Sequence, residues 1–325
     1  MMTILPNEPH LLKSGRSLPY GVYNGLIKSP FTSYWDTEGS FLAKRRRTQR
    51  KAWIFFGVYS PELFAGIAVV DAGMVSTAFA YLAVPAENIF IEDKMTLPLG
   101  FAEKFDPAME TEWTLGKFNI KTSGGQMIFT SRGKLKLDIV AETNADAGLS
   151  FVCPSTDRPF NFTYKNLPMQ VACKASYLGK SYEIAGKYGA IDFTKGYPPR
   201  ETRWNWMSLI GELEDGTALG INLVDHFNNN IENAAWIGEK KVLLGEAQFS
   251  MQTPLDKNKW QIDTRSGSLH LIFTPLGARS EKLDMVVMKS LFTQPYGTFE
   301  GVMTVNGQQL KLKGQGVVED HYAKW

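Results

Sequence analysis

The chain has almost no cysteine, little histidine and no sustained helical periodicity. Only Cys153 and Cys173 occur in its 325 residues, and no C-x-x-C pair is present. That excludes a zinc ribbon or a thioredoxin-type motif, and leaves two buried thiols in a reducing compartment as the expectation, with a disulfide between them as the alternative. The four histidines, His10, His226, His270 and His321, form neither H-E-x-x-H nor H-x-H, so no zinc signature exists. No G-x-G-x-x-G follows a strand and no P-loop is present, which excludes the nucleotide-binding folds. No G-x-S-x-G elbow marks a serine hydrolase of the α/β type. No cofactor and no metal are therefore expected. The formal net charge of +2 gives no general pull toward nucleic acid or an anionic membrane. Residues 63–84 come nearest to a membrane span, but Gly66, Asp71 and Gly73 break them into two strands and a turn. The first residues lack the basic segment and apolar run of a signal peptide. Together these features predict a cytoplasmic protein with no integral membrane segment.

What the chain does have is apolar and aromatic. Hydrophobic residues make up 44% and charged residues 21%, so a full core can be buried. Aromatic residues reach 12%, and they favour strands and line apolar pockets. Gly124-Gly125, Arg132-Gly133, Asp215-Gly216, Ser266-Gly267 and Asn306-Gly307 suit tight hairpins, because Gly and Asn accept a positive φ. Alternating segments flank them; in Leu310-Lys311-Leu312-Lys313 one face is apolar and the other wet. Helical candidates are confined to residues 85–88 and 231–236. The pattern predicts an all-β, mainly antiparallel chain of barrels or sandwiches. At ~150 residues per domain two domains are expected, with one large β domain as the alternative. Turn formers over residues 141–168 place the boundary near 165, giving domains 1–165 and 166–325.

Basic residues cluster at Lys44-Arg45-Arg46-Arg47 and Arg50-Lys51, as a phosphate-binding patch or as a solvated loop. Met285, Met288 and Met303 read as core filling. His270, inside an apolar strand, reads as structural.

Three segments carry candidate chemistry. The first is Ile191-Asp192-Phe193-Thr194, the turn at Tyr197-Pro198-Pro199, and Arg200 through Trp206. In an extended strand Glu201, Arg203 and Asn205 share one face, and Thr202, Trp204 and Trp206 the other. The charged face is either the polar floor of a pocket or a solvated surface. The second is Asp225-His226 in an Asn-rich loop, an acid/base pair if a turn brings the adjacent side chains together. The third is the C-terminus from Gly316 to Trp325, a strand ending in a mixed acidic, imidazole and aromatic tip that is expected to dock on the body. Candidate catalytic residues are Asp320, His321, Asp225, His226, Glu201 and Asp192. Candidate substrate contacts are Arg203, Trp204, Trp206, Tyr197 and Tyr322.

The segments Asp192 through Tyr197, Arg200 through Trp206 and Val318 through Trp325, with Gly25 through Pro30 and Lys51-Ala52-Trp53, resemble a bacterial domain-of-unknown-function family over most of the chain. More distantly the chain is similar to the carotenoid hydratase and AttH-like group. That resemblance implies two packed lipocalin-like (calycin-type) β domains with an apolar pocket, and addition of water to an isoprenoid double bond without a cofactor. The hydratase marker joins Trp, Asp-His and a further aromatic. Here Trp204-Asn205-Trp206 has no acid between its tryptophans, so the resemblance assigns the hydratase acid to no residue.

The expected function is a cofactor-independent hydratase, isomerase or cyclase, protonating a double bond of an apolar lipid or isoprenoid. A non-catalytic lipid-binding protein is the first alternative. A carbohydrate-active β protein is the second, and would show two carboxylates ~5–9.5 Å apart. The expected partner is a small apolar ligand.

Overall fold

The structure is a computed structural model that describes residues 3–6, 20–27, 48–98, 112–144, 146–155, 160–284 and 289–325. His10, the basic run from Lys44 to Arg47, Met285 and Met288 lie outside the described residues. Of the described residues 72% are in strands and 2% in helix, as the hairpin pattern predicts. The chain forms two compact units. One comprises residues up to Val58 and Leu63–Pro198; the other comprises Tyr59–Glu62 and Pro199–Trp325.

The first sheet contains thirteen strands among the described residues: β1 (Ile4–Leu5), β2 (Gly21–Asn24), β3 (Lys51–Tyr59), β4 (Phe64–Asp71), β5 (Val75–Val84), β6 (Ile89–Pro98), β7 (Glu112–Leu115), β8 (Phe118–Ser123), β9 (Gln126–Arg132), β10 (Lys136–Glu142), β11 (Leu149–Cys153), β12 (Asn161–Tyr177) and β13 (Lys180–Gly196). Its main path runs β6-β5-β4-β3-β13-β12-β10-β9-β8-β7, with β11, β2 and β1 branching from β12. The sheet curls so that β7 and β8 come back against β5. Strict alternation builds the interior. Leu137, Ile139 and Ala141 of β10 are fully buried in the core, with Phe118, Ile120, Met127 and Phe129 of the neighbouring strands. β4 and β5 differ, being buried on both faces over most of their length, which reads in sequence as one continuous apolar run. Their turn is fixed by Gly73, at φ 81°, whose N–H donates to Asp71 Oδ1 at 2.7 Å. No helix among the described residues is long and apolar enough to cross a membrane.

Residue 165 lies inside β12, and the compact units divide at Pro198–Pro199 instead. The turn-rich stretch 141–168 holds β11 and the start of β12. Pro168 is tolerated in mid-strand because the β12–β13 register slips between Asn166 and Met169, where no ladder N–H is needed. Of the two helical candidates, Pro85–Glu87 is a single 3₁₀ turn. The second is displaced: Asn228–Asn230 forms the turn and Ala234–Ile237 is a strand. Cys153 and Cys173 are buried thiols not joined in a disulfide, as expected. Lys51, from the predicted basic patch, is buried and donates from Nζ to the carbonyls of Thr48 and Ala72 at 2.8 and 2.6 Å.

The second sheet contains nine strands among the described residues: β14 (Glu201–Leu213), β15 (Ala218–Asp225), β16 (Ala234–Ile237), β17 (Lys240–Leu243), β18 (Ala247–Ser250), β19 (Trp260–Thr264), β20 (Leu269–Asp284), β21 (Lys289–Val305) and β22 (Gln308–Lys324). Their order is β17-β16-β15-β14-β22-β21-β20-β19-β18, and β18 returns against β15, which curls this sheet too into a barrel-like unit. Met207, Leu209, Leu219, Ile221, Trp260, Phe273, Phe299 and Val318 fill its core. A row of glycines crosses the central strands: Gly211 faces Gly314, and Gly316 faces Gly297. A Cβ on Gly211 would lie 2.0 Å from the Lys313 carbonyl oxygen, and one on Gly316 2.0 Å from that of Ser208. The backbones approach there closer than any side chain permits.

Candidate active site

The last strand carries its polar residues on two faces. Asp320 and Tyr322 share a face with Val318, which is in the barrel core; Glu319 and His321 point the other way. Register puts Trp206 beside Glu319 and Trp204 beside His321 on β14, and Phe292 beside His321 on β21. Ser290, two residues before Phe292, joins the same face.

Glu319 is a buried carboxylate with both oxygens engaged. Trp204 Nε1–H donates to Oε1 at 2.9 Å and Gln294 Nε2 donates to Oε2 at 2.9 Å. His321 Nδ1 lies 3.3 Å from Oε1, and Nε2 lies 2.8 Å from Ser290 Oγ. A carboxylate oxygen accepts, so Nδ1–H donates to Glu319, and Nε2 faces the Ser290 hydroxyl, accepting from it when the ring is neutral and donating when the ring is an imidazolium. The imidazole is held between aromatics. Its centre is 4.2 Å from the Trp204 ring and 5.1 Å from the Phe292 ring, the latter edge-on; Phe227 lies 5.3 Å from Trp204. Arg279, buried, places its guanidinium 4.9 Å from the Phe292 ring centre and pairs with Glu281 at 2.7 Å. The face thus offers a carboxylate-oriented imidazole on an aromatic floor. Trp206 belongs to a neighbouring network: Nε1–H donates to Asn222 Oδ1 at 2.9 Å, and Asn222 Nδ2 donates to the Glu232 carbonyl at 2.9 Å.

The other sequence candidates in this unit lie apart from that dyad. On the opposite face Asn205 Nδ2 donates to Asp320 Oδ1 at 3.0 Å, and the exposed Arg203 stands 3.5 Å from the same oxygen. Glu201 is exposed and pairs with Lys324 at 2.5 Å, which holds its carboxyl below the usual glutamate range. Asp225 ends β15 opposite Asn205. The turn that direct contact with His226 requires is present: His226 takes φ 66°, its N–H donates to Asp225 Oδ1 at 2.9 Å, and Nε2 lies 3.3 Å from Oδ2. His226 itself is exposed. His270, also exposed, pairs with Asp263 at 2.6 Å, a surface contact.

Asp192 and Tyr197 belong to the first unit. Asp192 pairs with Lys165, directly across the β12–β13 ladder, at 2.5 Å, and Lys165 is almost fully buried. Thr194 Oγ1 reaches the same Asp192 oxygen at 3.4 Å. Tyr197 is fully buried, edge-on to Phe160 at 5.8 Å. Among the described residues no group of three or more His, Cys, Asp or Glu side chains is arranged to hold a metal ion.

Glu319 falls in the candidate C-terminal segment but not among the candidate catalytic residues, and Gln294 and Ser290 lie outside all three segments. The i, i+2 spacing of Glu319 and His321 was a legible sign, since alternation places that pair on one face. Gln294 and Ser290 come from another strand and need the register.

Two curled antiparallel sheets with an aromatic-lined polar cluster define a double lipocalin-like protein. The chain belongs to the family described as a domain of unknown function (DUF2804), whose model matches residues 8–325. A putative AttH (NE1406) from Nitrosomonas europaea shares its fold with a TM-score of 0.57 at 15% identity, over 95% of this chain and 98% of that one. Kievitone hydratase from Nectria haematococca does so with a TM-score of 0.58 at 11% identity, over 97% and 98%. No curated protein matches the chain by sequence.

Proposed function

We propose that the chain is a cofactor-independent acid–base catalyst, a hydratase, isomerase or cyclase, that protonates a double bond of an apolar lipid or isoprenoid. The observation that carries this reading is the Glu319–His321 dyad, a buried carboxylate and a part-buried imidazole, between Trp204 and Phe292. His321, as imidazolium, donates from Nε2 to an alkene carbon, directly or through the Ser290 hydroxyl. Glu319 keeps Nδ1–H in place and stabilises the imidazolium. The carbocation that forms is favoured by the π faces of Trp204 and Phe227. A hydratase then adds water to the cation, and the oxonium proton returns to Nε2. An isomerase or cyclase returns a neighbouring C–H proton instead. Either route regenerates the imidazolium. The likeness in fold to a hydratase supports the reaction class and leaves the substrate to experiment.

The test begins with protein purified from its native host and extracted with organic solvent. Mass spectrometry is expected to find an apolar molecule of lipid size. Returned to the protein in D₂O, that compound should gain deuterium at the protonated carbon. His321→Gln should retain binding and slow exchange by about 10²-fold or more, the usual contribution of a positioned acid. A compound recovered without deuterium identifies a lipid binder and refutes the catalytic reading. An extract without apolar molecules, with sugars bound instead, favours the carbohydrate alternative.

A further inference from the structure

We infer that Ser290 is a nucleophile, and that Ser290, His321 and Glu319 form an acyl-transfer triad acting on carboxylic esters with an apolar acyl group. The three side chains stand in the order this chemistry needs. Ser290 Oγ is 2.8 Å from His321 Nε2, and the opposite ring nitrogen, Nδ1, is 3.3 Å from Glu319 Oε1. Glu319 is in turn fixed by the Trp204 indole and the Gln294 amide. A base in contact with the hydroxyl, oriented by a third group, is the arrangement by which a weak oxygen nucleophile is activated on any fold. The sequence could not announce it, because Ser290 sits in a strand, on β21, and not in a G-x-S-x-G elbow. The ladder brings it to His321 on β22, where Phe292 pairs directly with His321.

Environment separates this serine from an ordinary strand hydroxyl. Ser290 and His321 are both only partly buried, while Glu319 behind them is buried. The rings of Phe292 and Trp204 beside the imidazole give an acyl chain an apolar surface.

The step balances as follows. Oγ attacks the ester carbonyl carbon, the Oγ–C bond forms, and the Oγ proton passes to Nε2. The tetrahedral adduct collapses, the C–O bond to the alcohol breaks, and the departing alkoxide takes the proton from Nε2. Water, activated by the same nitrogen, then cleaves the acyl-serine to carboxylic acid and restores Ser290. The inference rests on the geometry of the dyad and does not require that it protonate an alkene.

Diisopropyl fluorophosphate and p-nitrophenyl butyrate are the probes. With the first, the Oγ–P bond forms, fluoride leaves and the Oγ proton goes to His321. Peptide mass mapping of the full chain is expected to find one phosphoryl adduct, on Ser290. Ser290→Ala should abolish it. His321→Gln should slow it by about 10²-fold or more, the contribution of a general base, with its circular dichroism unchanged. Butyrate hydrolysis should fall in parallel. No adduct on Ser290 in the wild type, or equal labelling in His321→Gln, overturns the triad. Ser290→Ala keeps His321 and Glu319, so deuterium exchange into an alkene without Ser290 labelling overturns the triad alone. Labelling without deuterium exchange overturns the alkene reading alone.

Discussion

Removing the Glu319 carboxylate tests how far the site depends on one buried group. In Glu319→Ala, Trp204 Nε1–H and the Gln294 amide each lose the acceptor they hold at 2.9 Å. A buried donor left unsatisfied costs about 1–3 kcal/mol. Two such donors give about 2–6 kcal/mol, before any cavity term and before the loss of the part-buried His321 Nδ1–H contact at 3.3 Å. Glu319→Gln behaves differently. Its one oxygen serves Trp204, and its NH₂ faces Gln294, whose amide can rotate to present oxygen. The loss is then the difference between two charge-assisted bonds and two neutral ones, about 1 kcal/mol each and about 2 kcal/mol together. Glu319→Gln with Gln294→Glu places the carboxylate on the other strand, and the double-mutant cycle should return a coupling of about 1 kcal/mol or more. Urea unfolding measures these values, followed by tryptophan fluorescence and by circular dichroism; coincident traces license a single free energy. Glu319→Ala within about 0.5 kcal/mol of wild type, the range of an ordinary surface change, would refute the reasoning. The carboxylate would then be no more desolvated than a surface one.

Two further outcomes follow from protonation. Burial pushes the Cys173 thiol up to about 12, so the native chain should not react at Cys173 with Ellman's reagent near neutral pH and should react after denaturation; native reactivity at Cys173 would contradict its burial. The Glu201 carboxyl is held low by Lys324, so its pair stabilises fully above the unfolded value near 4.5 and is lost as pH falls through the lower folded value. Melting curves of Glu201→Gln and wild type should therefore converge on acidification, and a gap that widens toward acid would show the sign to be wrong.

Much of the fold was legible because strands and turns are local. The dipeptides at Gly124-Gly125, Asp215-Gly216, Ser266-Gly267 and Asn306-Gly307 all lie at hairpin turns, with a positive φ at each of these glycines. The hairpin between β12 and β13 was not legible: its turn is Leu178-Gly179, and Leu178, exposed at φ 47°, is a residue that local preference argues against. The boundary misled for the opposite reason. Asn144, Pro154 and Pro168 look like a linker, yet the sheet absorbs them at turns and at a register slip. The site was half legible. His321 stood out by type, but its nearest acidic neighbour in sequence, Asp320, points to the other face. Trp204, Gln294 and Ser290 join it only through the pairing of three strands, which no local pattern specifies.

The glycine row of the second sheet bears on that pairing. A glycine inside a strand costs about 0.5–1 kcal/mol relative to alanine, yet alanine has no room at Gly211 or Gly316. The chain keeps glycine there because a side chain would force the two backbones apart. On both sides of the seam β22 serves the barrel, through Leu312 and Val318, and beyond it the opposite face of the strand carries Glu319 and His321. A side chain at the seam would spread β14 from β22, and with them Trp204 from His321, so the surroundings of the dyad are held in part by residues that do not touch it.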